Sequence, residues 1–258
     1  MTPADAIVAI AIGLAAGVLS GLFGVGGGIV MTPAMDALLP VSSIAAIATP
    51  LPVIFPTSIT GAATYAKAGQ VDRRAAMWMG ATGLLGAAVG ALATEWVDPA
   101  LLLLVTAALL GWQSIGIIRG PKRAAIDPAA GEPAVPPAIF ATIGLVAGVV
   151  SGLLGVGGGL VMVPLLSGWC RMPLKRALGT SLLTIPAIVI PGTIVHAVLG
   201  NIEWWAVLFL AIGAVPGARI GAKLALGSGE RTLRRTVGFG MLAVAVLYAV
   251  QQVSALVR

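Results

Sequence analysis

Long apolar runs alternate with short polar turns along the whole chain. A helix that spans the hydrocarbon core of a bilayer needs about 20 apolar residues, and most of the runs approach that length. Two runs are only about half as long, and each follows a cluster of glycines. The pattern predicts an all-α polytopic membrane protein with apolar segments at 7–23, 29–39, 43–66, 75–94, 100–118, 138–154, 160–169, 177–198, 204–225 and 236–250.

The second half of the chain repeats the first at an offset of 131 residues. Residues 13–35 and 144–166 agree at 16 of 23 positions. The register survives a polar turn, because the Gly-Gln-Val-Asp of 69–72 falls on the Gly-Asn-Ile-Glu of 200–203. Chance similarity between apolar segments would not keep register across such a turn. The sequence therefore predicts two membrane repeats of five segments each and a linker, with bounds at 1–118, 119–137 and 138–258.

Composition supports a membrane protein and argues against other classes. Of the 258 residues, 59% are apolar and 9% are charged, and the mean hydropathy is +1.05, values that a soluble domain does not need. The net charge of +6 would suggest nucleic acid in a soluble protein, but here the basic residues lie between apolar runs and indicate orientation in a bilayer. The single cysteine, Cys170, excludes an internal disulfide and a cysteine-rich metal site.

Positive charge is concentrated in alternate loops, and this predicts how the repeats lie in the membrane. Loops rich in Lys and Arg stay in the cytoplasm. On this rule the turn near residue 70 and the linker are inside, while the turn near residue 201 and both termini are outside. Equivalent loops then lie on opposite sides. We expect inverted repeats with a cytoplasmic linker and with both termini on the outer, periplasmic side, which is the plan of many secondary transporters.

Each repeat opens with a helical hairpin that glycines interrupt. Glycine is a poor helix former, so three in a row are expected to end a helix and to leave backbone N–H and C=O groups without helical partners. Inside hydrocarbon such groups are tolerated only against protein or a water-filled cavity. In the third segment, Pro50, Pro52 and Pro56 are also expected to kink or interrupt a helix. The two glycine clusters are Gly24, Gly26, Gly27 and Gly28, and Gly155, Gly157, Gly158 and Gly159.

The chain resembles the TauE/SafE family of sulfite exporters. The resemblance is carried by the two motifs GLFGVGGGIVMTP and GLLGVGGGLVMVP, by the two turns at 69–72 and 200–203, and by the run PGARIGAKL at 216–224. It covers essentially the whole chain apart from the linker. It implies a transporter of the bacterial inner membrane for sulfite, a sulfonate or a related anion.

An anion also suits the glycine breaks physically. Exposed backbone N–H groups and the positive end of the helix that resumes at Gly28 or Gly159 attract an oxyanion, and glycine lets it approach the backbone closely. Nearby hydroxyls would add donors without a buried charge. The alternatives are that the glycines only permit close helix packing and that each hydroxyl bonds its own helix carbonyl. The candidate hydroxyls are Ser20, Ser151, Thr49, Thr180 and Ser181.

The function we expect is export of a small sulfur-containing oxyanion by alternating access, with the anion held between the two breaks near the midplane. An anion channel with a glycine-lined pore is the alternative. An enzyme is not favoured, because the chain has one histidine and no HExxH motif. The expected partners are the small anion and the lipid bilayer; neither a cofactor nor a metal nor nucleic acid is expected. The coupling ion and the oligomeric state stay open, with a homodimer among the alternatives.

Overall fold

The fold is helical throughout the part of the chain that the structure describes. This computed structural model describes residues 2–93, 135–155 and 157–256, with residues 108, 111, 114, 115 and 117 between them. Within these residues, six helices are long and apolar enough to cross a membrane. The all-helical prediction is confirmed over this part. The predicted segment 100–118 and the linker 119–137 lie largely outside the described residues.

The described helices follow the predicted apolar segments closely. Each begins and ends within a few residues of the bounds expected from the apolar pattern, except that the last helix, Glu230–Leu256, extends six residues further at each end. The helices are α1 (Pro3–Phe23), α2 (Gly28–Leu38), α3 (Ser43–Ala48), α4 (Pro50–Lys67), α5 (Arg73–Ala93), α6 (Pro137–Leu154), α7 (Gly159–Pro164), α8 (Leu174–Val198), α9 (Trp204–Gly227) and α10 (Glu230–Leu256).

The short arms of both hairpins are confirmed as short helices. Helix α2 has 11 residues, which is about 16 Å of helix and half of the hydrocarbon thickness. Helix α7 continues as one π-helical turn over Leu165–Trp169, a feature that the apolar pattern did not predict. After α2, the chain forms α3 and α4 end to end over 25 residues. Their only interruption is at Thr49, directly before Pro50, which has no N–H to continue the ladder.

Small residues bring the helices of the two repeats into close contact. Gly13 of α1 faces the Leu210 carbonyl of α9, and Gly21 faces the Ala218 carbonyl further along. The order of these contacts shows that α1 and α9 run parallel. Helix α5 packs in the same way on α6, where Gly148 faces the Gly83 carbonyl. A Cβ at any of these glycines would collide with the opposite backbone. The glycines at four-residue spacing therefore form packing ridges, which are Gly13, Gly17 and Gly21 on α1 and Gly144, Gly148 and Gly152 on α6.

The centre of the fold is formed by α4 and α8. Gly61 lies against Leu182 and Gly192 lies against Leu51, so the two helices run antiparallel. Each lies in a 25-residue helical stretch, Ser43–Lys67 and Leu174–Val198. Ile54 and Ile185 occupy the same place, next to the middle, in these two stretches, and both side chains are fully buried. The hairpin breaks are positioned against this central pair.

Candidate functional site

The two glycine breaks have nearly the same backbone conformation. Gly24, Gly26 and Gly27 have φ angles of 71°, 87° and 91°, and their counterparts Gly155, Gly157 and Gly158 have φ angles of 67°, 82° and 72°. Side chains with a Cβ rarely adopt this left-handed region. Helix α1 therefore ends at Gly24, whose N–H donates to the Ser20 carbonyl at 2.8 Å. The predicted breaks are confirmed in both repeats.

Both helices that follow the breaks begin without a side-chain cap. The Gly27 carbonyl accepts from Val30 and Met31, each at 3.1 Å, but no side chain bonds the first turn of α2. The first turn of α7 after Gly158 is uncapped in the same way. Among the described residues, none accepts a hydrogen bond from the N–H of Gly27 or Gly28. These groups and the positive helix end are the kind of donors that bind anions.

The two breaks meet each other at the centre of the protein. Gly159 packs directly on the Gly24 carbonyl and on Val25. A Cβ at Gly26 would lie 2.9 Å from Ile54 Cγ2, and one at Gly157 would lie 3.4 Å from the same atom. Both breaks therefore face the middle of the long central helices. The sequence predicted a shared site at this place. Ile54 fills part of it, and no sequence pattern indicated this residue.

Ser20 and Ser151 are the polar side chains that the structure leaves without partners next to the breaks. Each is 1% exposed, and neither hydroxyl has a hydrogen-bond partner among the residues that the structure describes. The Ser20 Cβ lies 3.4 Å from the position that a Cβ at Gly27 would take. Other buried hydroxyls behave differently, since Ser58 donates to the Ile54 carbonyl at 2.7 Å and Thr184 donates to the Thr180 carbonyl at 2.9 Å. The alternative of a bond to the helix's own carbonyl does not apply to Ser20 and Ser151.

The remaining candidate hydroxyls have partners within the protein. Thr49 Oγ1 accepts from the N–H of Glu203 at 3.1 Å, and Thr180 Oγ1 accepts from the N–H of Asp72 at 2.9 Å. Each threonine thus holds the polar turn of the other repeat. The Ser181 hydroxyl donates to the Gly24 carbonyl at 2.8 Å and ties the first break to α8. The structure shows these structural roles, and a direct role in anion binding stays a prediction.

A pocket lies beside the first break, between the break and helix α10. Ser20 and Gly27 contribute to its lining, together with the side chain of Met241. It has about 270 Å³ of empty space, of which only about 10 Å³ admits the centre of a water molecule. One water needs about that much, so the pocket is closed to a larger ion. The equivalent element of the first repeat, segment 100–118, lies mainly outside the described residues.

Ionisable groups lie at the edges of the fold. Asp36 is exposed and lies two residues before the end of α2. His196 is buried beside Asn201, with 3.3 Å between His196 Nδ1 and Asn201 Nδ2. Asp72 pairs with Arg176 at 3.3 Å. No group of three or more His, Cys, Asp or Glu side chains suited to a metal ion occurs among the described residues.

The comparisons with known proteins agree on a family of membrane transporters. The family described as "Sulfite exporter TauE/SafE" matches residues 9–248. A "Probable membrane transporter protein" of Xylella fastidiosa is 30% identical over 95% of each chain. The "Probable membrane transporter protein YunE" of Bacillus subtilis is 28% identical over 95% of this chain and 96% of its own. A protein of Methanocaldococcus jannaschii with a similar name is 27% identical over 83% of this chain and 84% of its own. No solved structure gives a significant match.

Proposed function

This chain belongs to the sulfite exporter TauE/SafE family of membrane transporters, and on that premise we propose that it exports a small sulfur-containing oxyanion across the bacterial inner membrane. Sulfite and organosulfonates are the substrates that the family resemblance suggests. The anion binds between the two glycine breaks at the centre of the fold. The observation that carries this proposal is the pair of buried, unpartnered hydroxyls of Ser20 and Ser151 beside uncapped helix starts.

An unpaired buried hydroxyl destabilises a protein, and this cost makes a ligand the natural partner. Leaving a buried donor unsatisfied costs about 1–3 kcal/mol. The same unpaired group occurs at equivalent positions in both repeats; in the first repeat it lies beside the N–H groups of Gly27 and Gly28, for which no described residue is an acceptor. An oxyanion satisfies hydroxyl and amide donors together. Because the donors are neutral, the empty site carries no buried charge that would have to be desolvated.

Alternating access fits the arrangement of the helices. The antiparallel course of α4 and α8 supports inverted repeats, in which one half adopts the conformation of the other and exposes the site to the opposite side. The closed pocket beside Ser20 supports a mechanism in which the breaks or α10 must move before an oxyanion enters. Outward movement of an anion down an inside-negative potential yields about 2.3 kcal/mol per charge at 100 mV, so export does not require an intramembrane carboxylate.

The proposal is tested with ligand-induced thermal stabilisation and with flux in liposomes. Sulfite, thiosulfate, sulfoacetate, taurine, sulfate and acetate are compared on the wild type and on Ser20→Ala, Ser151→Ala and Ser58→Ala. A hydrogen bond to a charged ligand is worth about 1.5–3 kcal/mol, so each of the first two variants should bind the preferred anion roughly tenfold to a hundredfold more weakly.

Ser58→Ala is the matched control, because Ser58 is equally buried but is bonded to its own helix. It should bind like the wild type. The site assignment fails if Ser20→Ala and Ser151→Ala keep wild-type affinity. Flux that does not saturate with anion concentration would favour the channel instead of the transporter.

The predicted orientation is tested by cysteine labelling. With Cys170 replaced by Ala, a cysteine at Ala129 in the linker should react with a membrane-impermeant maleimide only after the cells are opened. Because Cys170 is the single cysteine of the sequence, its replacement leaves Ala129→Cys as the only thiol that the reagent can label. Labelling of Ala129→Cys in intact cells would contradict the inverted arrangement.

A further inference from the structure

A groove lies between α4 and α9, and none of its lining residues belongs to the glycine breaks. The groove has a volume of about 520 Å³ and is open on one side. Its charged lining consists of Lys67, Arg219 and Lys223, and no acidic residue contributes to the lining. Arg219 and Lys223 are one turn apart on α9, and Lys67 lies in the last turn of α4. All three residues are exposed.

These three cations have no protein counter-charge among the described residues. The ion pairs described there are Asp72–Arg176 and Glu230–Arg234. Like charges one turn apart on a helix repel each other, and the repulsion is stronger where water is scarce. The groove also contains Thr60 and Thr64, but their hydroxyls donate to carbonyls of their own helix at 2.9 Å. The free donors of the groove are therefore the three cations.

The repeat shows that the fold itself does not require this charge. At the positions 131 residues away, the cations Lys67, Arg219 and Lys223 are replaced by the apolar residues Val198, Ala88 and Leu92. Val198 is 82% exposed and Leu92 is 64% exposed, so the equivalent surface is apolar. Orientation in the membrane does not require the groove cations either, since the same side already carries Arg73, Arg74, Arg231, Arg234 and Arg235.

We propose that the groove between α4 and α9 binds the phosphate headgroup of an anionic phospholipid from the cytoplasmic leaflet. Both helices end at loops that their positive charge assigns to the cytoplasm, and basic pockets between membrane helices on that side bind anionic headgroups. The apolar flank suits the acyl chains, since Ile59 lines the groove and Ile220, which neighbours Arg219, is 48% exposed. The proposal is independent of which anion is transported.

The test measures the melting temperature of the full-length protein in mild detergent with added lipid. Phosphatidylglycerol should raise the melting temperature by several degrees, because a ligand that binds only the folded state stabilises it. Phosphatidylcholine with the same acyl chains should not. The triple variant Lys67→Gln, Arg219→Gln, Lys223→Gln should lose most of this gain and should carry fewer phosphatidylglycerol molecules in native mass spectrometry.

The control is a second triple variant, Arg73→Gln, Arg231→Gln, Arg235→Gln, which removes the same charge from exposed positions outside the groove. It should keep the gain, and an equal loss in both triple variants would overturn the proposal. Equal protection by glycerol phosphate at the same concentration would identify a site for soluble anions and would also overturn it. If the groove variant does not fold, Arg219→Gln alone should lose part of the gain and Arg219→Lys should keep it; a full gain in Arg219→Gln refutes the lipid site.

Discussion

The two glycine breaks share a backbone and differ in what holds them. Their φ angles agree to within 19° at all three left-handed pairs, yet only the Gly24 carbonyl receives the Ser181 hydroxyl. The residue equivalent to Ser181 is Pro50, which has neither a hydroxyl nor an N–H, so the reciprocal bond cannot form. The duplicated glycines therefore give both breaks the same backbone conformation. The hydrogen bond from α8 through Ser181 holds only the first break.

The polar turns of the two repeats show the same division. In both, a threonine of the other repeat accepts a backbone N–H, at Asp72 and at Glu203. The carboxylates of these two residues differ, because Asp72 pairs with Arg176, while Glu203 accepts from Trp205 Nε1 at 3.0 Å. The residue equivalent to Arg176 is Ala45. The backbone contacts are thus symmetric, and the turn predicted to face the cytoplasm has in addition an ion pair.

Alanine substitutions in the glycine packing ridges should have the largest effect on folding, and the effect should be equal in the two repeats. In Gly17→Ala the new methyl would collide with the Ala214 carbonyl, and in Gly148→Ala it would collide with the Gly83 carbonyl. Forcing extra volume into packed backbone costs about 1–3 kcal/mol or more. Both variants should lose folded yield in fluorescence-detected size-exclusion chromatography. A normal folded yield in only one of the two variants would show that the ridges do not pack alike in the two repeats.

Loss of the hydrogen bond from the Ser181 hydroxyl to the Gly24 carbonyl should have an intermediate effect on stability. The equivalent substitution in the other repeat should have a smaller effect. Ser181→Ala leaves a buried carbonyl without its hydroxyl partner, so the free energy of unfolding should fall by about 1–3 kcal/mol. Pro50→Ala, at the equivalent position, removes no side-chain hydrogen bond and should change it by less than about 1 kcal/mol. Thermal unfolding of both variants in one detergent measures the difference. Equal losses would show that the Ser181 bond does not distinguish the breaks.

Substitution of Thr49 or Thr180, each of which bonds the polar turn of the other repeat, should have the smallest effect on stability. Thr49→Val and Thr180→Val remove the acceptors for the N–H groups of Glu203 and Asp72 and keep the shape of the side chain. Each should lower the free energy of unfolding by about 1 kcal/mol. Hydrogen exchange at the Glu203 and Asp72 amides should rise only in the variant that lost the respective acceptor. If anion binding falls in these variants while exchange stays slow, the threonines act in the binding site.

Much of the fold could be predicted from the sequence because its signals are local. Clustered glycines disfavour a continuous helix through their own conformational freedom; α1 accordingly ends before Gly24, and Gly28 and Gly159 begin α2 and α7 as expected. The crossed bonds of Thr49 and Thr180 join residues that are 154 and 108 positions apart, and no local pattern indicates such partners. The unpartnered state of Ser20 and Ser151 depends in the same way on packing, and only the structure distinguishes them from Ser58.

The parallel pairing of α1 with α9 also constrains how the protein is made. Helix α1 leaves the ribosome before the other described helices, but its glycine ridge packs on a helix that begins at Trp204. At about 5–20 residues per second, roughly 10–40 s of synthesis separate the two partners. The partner of α6 is already in the membrane when α6 emerges, because α5 precedes it. Helix α1 must therefore remain in the membrane, with its ridge against lipid or a chaperone, until α9 has been synthesised.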